Sequence, residues 1–71
     1  MVRAMELSAR NQLKGKVKSV KLGAVMAEVI IDVNGQDMVS EISKASAERL
    51  KLAPGDAVTV IIKSTEVMLG K

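Results

Sequence analysis

Asn34-Gly35 stands between two runs in which residues alternate in polarity, and this arrangement restricts the possible folds more than any other feature of the chain. The dipeptide suits a two-residue turn with positive φ at both central positions, so it predicts a hairpin. On its N-terminal side, Ala24 to Val33 places Val25, Ala27, Val29, Ile31 and Val33 on one face. The opposite face is mixed: Ala24, Met26, Glu28, Ile30 and Asp32. On its C-terminal side, Gln36 to Ile42 puts Met38, Ser40 and Ile42 together. A period of two is the pattern of half-buried strands.

The same pattern recurs on either side of this hairpin. Gln12 to Val20 alternates Leu13, Gly15 and Val17 with Lys14, Lys16 and Lys18. Asp56 to Lys63 alternates through Val58, Val60 and Ile62, and Glu66 to Leu69 predicts a short fifth strand. Gly23 and Pro54-Gly55 mark further turns. Between the third and fourth strands the period changes. Ser43 is a helix cap, and Ile42, Ala45 or Ala47, and Leu50 line one side of a short helix that ends near Lys51-Leu52. The predicted class is all-β with one short helix, and the strand order is that of a five-stranded OB-like Greek-key barrel.

A barrel of 71 residues is a small unit. A domain of this size buries only about 60% of its unfolded surface and usually needs a staple. There is no cysteine for a disulfide, and with no histidine either the usual ligands for zinc, copper and iron are missing. Oligomerisation remains, and 48% hydrophobic residues in so small a chain point the same way. Val29-Ile30-Ile31 and Val60-Ile61-Ile62 are apolar on both faces, so Ile30 and Ile61 are expected to meet another subunit. Singly exposed aliphatics would give the same pattern but are the weaker explanation.

The net charge of +3 favours anionic partners. The aromatic count is zero, which disfavours nucleic acid, because single strands are held largely by stacking on aromatic rings. The Lys14, Lys16, Lys18 stripe reads better as protection against edge-to-edge aggregation than as a contact for nucleic acid. Without histidine or cysteine, and with scattered carboxylates, the chain is not expected to be an enzyme. No glycine-rich phosphate loop is present. No membrane span is expected, and Met1 to Leu7 has no apolar run long enough for a signal peptide, so the expected compartment is the cytoplasm.

Two polar segments remain: Ser8-Ala9-Arg10-Asn11 before the first strand and Lys63-Ser64-Thr65 after the fourth. Each sets a hydroxyl beside a cation, the donor types a tetrahedral dianion requires. From residue types alone, a polar lead-in and a turn with a solvated lysine describe them better than a site.

Taken with their surroundings, however, these segments are recognisable. Ser8-Ala9-Arg10-Asn11-Gln12-Leu13-Lys14-Gly15-Lys16-Val17 resembles the opening signature of the molbindin, or Mop, family, and Lys63-Ser64-Thr65-Glu66-Val67-Met68 resembles its closing signature. Ala27-Glu28-Val29 and Ile42-Ser43 also resemble the family. The similarity covers roughly residues 7 to 70. It implies one Mop domain over 7–71 behind an N-terminal extension over 1–6. It also implies a homo-hexamer, a trimer of dimers, that stores or buffers molybdate or tungstate without a cofactor. The implied site sets Ser8 and Arg10 of one subunit against Lys63 and Ser64 of its neighbour, with backbone groups of Ala24, Val25 and Met26 as further contributors. A second site class near the threefold axis has no assigned residues. A small basic nucleic-acid-binding module and a purely structural interaction domain stay open as alternatives.

Overall fold

A computed structural model describes residues 6–71, so the proposed extension lies almost wholly outside the described residues. The chain is mostly β with one short helix. Its strands are β1 (Asn11–Leu22), β2 (Met26–Val33), β3 (Gln36–Ser43) and β4 (Ala57–Ile62), with α1 (Lys44–Arg49) between β3 and β4. All pairings are antiparallel, in the order β3-β2-β1-β4.

The central hairpin forms as its turn requires. Asn34 and Gly35 have φ of 52° and 85°, and Val33 pairs with Gln36. Ala27, Val29, Ile31 and Val33 are all buried, and with Val17 and Ala47 they make up the buried apolar set among the described residues. Val25 departs from expectation. It is 73% exposed, because the chain is still turning there: Gly23 N–H donates to Met26 O at 2.8 Å, and the strand begins only at Met26.

β1 joins the two halves of the sheet. Asn11 to Lys16 pair with β4, and Lys16 to Leu22 pair with β2. Strict alternation would carry Ser19 into the core and Val20 out of it. A bulge between Val17 and Ser19 prevents this: Val17 opposes Ile31 and Val20 opposes Val29, while Ser19 opposes Ile30 on the outer face. Such a bulge adds one residue and increases the local twist. Gly15 allows the same strand to curl inward. A Cβ placed there would lie 2.6 Å from Ile31 Cγ2 and 2.8 Å from Asp32 O.

Ser43 caps α1, accepting from Ser46 N–H at 3.0 Å. The helix ends with Lys51 at φ 53° in the left-handed region. There Lys51 N–H donates to Glu48 O and Leu52 N–H to Ala47 O, a termination that more often places glycine at this position.

The expected fifth strand does not form within the chain. Ser64–Glu66 is a single 3-10 turn, and Met68 and Leu69 beyond it are 91% and 95% exposed. The turn carries the tail away from the sheet, so its alternating residues find no ladder partner among the described residues. β3 and β4 are therefore both edges, and the barrel is open between them.

Candidate functional site

The β1–β4 register brings the two polar segments together. Asn11 pairs with Ile62 and Gln12 with Ile61. Arg10 and Lys63 are the residues immediately beyond this last pair, one on each strand. Side chains alternate across a strand, so Arg10 shares the outer face with Gln12, and Lys63 shares it with Ile61. Ser8, Ala9, Arg10, Asn11, Ile61, Lys63 and Ser64 line one open hollow of about 770 Å³. The four predicted residues therefore all border one hollow of a single chain.

The hollow is electropositive by construction. No carboxylate lines it. Among the described residues there is one ion pair, Lys18–Asp37 at 2.8 Å, so neither Arg10 nor Lys63 has an anionic partner. The segment is braced by Gln12 Nε2, which donates to Ala9 O at 2.7 Å. All four predicted side chains are exposed.

Sequence reasoning did not select Asn11 or Ile61 as site residues. Asn11 adds an amide with both donor and acceptor, and Ile61 adds an apolar wall. Asn11 could have been chosen from its position beside Arg10. Ile61 could not, since its place depends on the β1–β4 register.

Ala24, Val25 and Met26 lie at the opposite end of β1, in the turn to β2. Twelve residues of strand, roughly 35 Å when extended, separate this turn from the hollow. Met26 borders a different depression, together with Lys21, Leu22, Gly23, Glu28 and Glu41. One chain does not bring this backbone to Arg10 and Lys63.

The TOBE domain family matches residues 7–69. Molybdenum-pterin-binding protein 3 of Clostridium pasteurianum is 52% identical over 66 residues, covering 92% of this chain and 97% of that protein. The chain belongs to the molbindin (Mop) family. Two solved structures share this molbindin's fold. A molybdate-binding protein from Sporomusa ovata superposes with a TM-score of 0.90 at 40% identity, covering 94% of this chain and 100% of that one. The cytoplasmic molybdate-binding protein ModG, with molybdate bound, gives a TM-score of 0.78 at 39% identity, covering 84% of this chain and 43% of that one.

The lysine stripe of this molbindin is largely offset by acids on β2 and β3. Lys16 opposes Asp32, Lys21 opposes Glu28, and Lys18 Nζ donates to Asp37 Oδ1 at 2.8 Å. Lys14 alone of the stripe faces a neutral partner, Thr59. A continuous cationic track of the kind that follows a nucleic-acid backbone is absent from this face among the described residues. Arg10 and Lys63 also carry no ion pair among the described residues, and both line the hollow. Among the described residues no helix is long and apolar enough to cross a membrane.

Proposed function

We propose that this molbindin binds molybdate, or the similar tungstate, at the Arg10–Lys63 hollow and stores or buffers it without chemical change. The observation that carries the reading is the pair of cations in one hollow without a carboxylate, flanked by the hydroxyls of Ser8 and Ser64. Arginine supplies a planar fork that stays protonated, and lysine a compact charge with three donors. Molybdate is a dianion at neutral pH, so capture requires no base. Sulfate has the same charge and shape class, which leaves cavity size as the basis for discrimination.

The site belongs to an assembly in this reading. A hollow of about 770 Å³ is the size of pockets that take whole organic ligands, far more than one tetraoxyanion fills. A neighbouring subunit would narrow it and could bring the Ala24–Met26 turn to the ion. The proposed assembly is a homo-hexamer, a trimer of dimers. Residues 7–71 form its single repeated domain, and its compartment is the cytoplasm, as for ModG.

Isothermal titration with molybdate, alone and with excess sulfate, tests the function. Saturable binding that survives sulfate is expected. Absence of heat, or binding abolished by sulfate, overturns the reading.

A further inference from the structure

The hollow that gathers Arg10 and Lys63 has one large apolar wall. Apart from Ile61 and the small Ala9, every side chain lining it is charged or carries hydrogen-bonding groups. Ile61 stands two residues before Lys63, on the same outer face of β4, and pairs with Gln12 across the ladder. It is 43% exposed and lies outside the buried cluster of Val17, Val29, Ile31 and Val33. Core packing therefore does not require an apolar residue at this position, yet the chain places one beside the cations.

We propose that Ile61 determines specificity at this site: its apolar wall favours molybdate over sulfate by withholding hydrogen bonds from the bound anion. The proposal rests on the oxyanion reading given above and deepens it. The two ions share charge and shape, so only size separates them. Within one chain the hollow, at about 770 Å³, is far wider than either, and its walls do not gauge the ion by close contact. Size also sets hydration. Molybdenum is larger than sulfur, so molybdate spreads the same charge over a larger surface and holds its water less tightly. The cost of taking an ion out of water falls as its radius grows. An anion seated against Ile61 loses water on that side and gains no hydrogen bond in return. Sulfate, the more strongly hydrated ion, loses more. The donors of Arg10, Lys63 and the two serines attract both ions, and the aliphatic wall tells them apart.

The effect depends on the wall being apolar and not on its bulk, and two substitutions separate these properties. Valine and threonine have nearly the same shape, and both are β-branched, as suits a strand. Ile61→Val and Ile61→Thr therefore widen the hollow about equally. Only Ile61→Thr supplies a hydroxyl, which returns to the anion one of the hydrogen bonds that water had given it. Sulfate gains more from that bond than molybdate does.

The parent protein and the two variants are titrated with molybdate in rising sulfate, which gives the ratio of the two affinities, and separately with tungstate. Ile61→Thr should lower the molybdate-to-sulfate ratio by about 2- to 5-fold, a part of what one hydrogen bond contributes. Ile61→Val should leave it close to that of the parent. The molybdate-to-tungstate ratio should stay constant in all three, because those ions are nearly equal in size. An unchanged molybdate-to-sulfate ratio in Ile61→Thr overturns the proposal. Equal falls in both variants also overturn it, since bulk and not polarity would then govern selection. Sedimentation of the same samples should show one assembly size throughout. A smaller assembly for Ile61→Thr overturns the proposal by making Ile61 a subunit contact. A parent protein that binds no oxyanion removes the oxyanion reading and the proposal together. A selective parent whose Ile61→Thr variant is equally selective retains that reading and loses the proposal alone.

Discussion

Arg10 and Lys63 flank the last β1–β4 ladder pair, Asn11 and Ile62, and line one hollow that no carboxylate borders. A dianion seated in the hollow can accept from both, and charge-assisted hydrogen bonds are the strong ones.

Arg10→Ala and Lys63→Ala should each weaken molybdate binding by about 10- to 100-fold, since a hydrogen bond to a charged group contributes about 1.5–3 kcal/mol. Without molybdate, neither change should lower the thermal midpoint, because both side chains are exposed and make no hydrogen bond or ion pair among the described residues. Titration calorimetry and thermal melts of the same samples check both statements. A variant that melts early without ligand would place its residue in the fold and not in the site.

Gly15→Ala should destabilise the chain by about 1–3 kcal/mol, the usual range for forcing extra atoms into a packed region. The obstacle is partly backbone, since Asp32 O lies 2.8 Å from the position of the new Cβ. Urea unfolding should show a lower midpoint with little change in slope.

Lys51→Gly should stabilise the chain by about 0.5–1 kcal/mol. An L-residue in the left-handed region costs about 1–2 kcal/mol, and the added freedom of glycine in the unfolded chain returns part of that gain. The side chain of Lys51 is exposed and makes no hydrogen bond or ion pair with the described residues. A lower urea midpoint would contradict this account of the helix terminus.

The hydrogen bond from Lys18 to Asp37 raises the Lys18 ammonium above its ordinary value of 10.5, helped by the charges of Asp37 and Asp32. A raised value means that the pair contributes fully below 10.5 and that its contribution fades as pH climbs through the folded-state value. Asp37→Asn should therefore melt slightly earlier than the parent at pH 7, with the difference vanishing in strongly alkaline buffer. Both groups are about half exposed, so the difference is small and should shrink in high salt. A gap that persists at alkaline pH would assign the effect to Asp37 alone.

Much of this fold is local and therefore legible in the chain. Asn34-Gly35 encodes its own turn, Ser43 its own cap, and the alternation through Ala27, Val29, Ile31 and Val33 its own buried face. Each depends on residues only a few positions apart, so composition and period suffice to find them. The two polar segments were equally visible, and so was the absence of cysteine, histidine and aromatic rings. Other features depend on partners far along the chain. The bulge that turns Val20 inward arises because Val20 must meet Val29, and Gly15 matters because β2 passes within 3 Å of where its Cβ would be. The pairing of Asn11 with Ile62 joins residues from opposite ends of the sequence, and only that pairing brings Arg10 and Lys63 to one hollow and adds Asn11 and Ile61 to it. Glu66–Leu69 marks the limit of what local pattern determines. Its residues alternate as a strand should, but a strand exists only where an edge is present to receive it, and the turn at Ser64–Glu66 directs this one away from its own sheet.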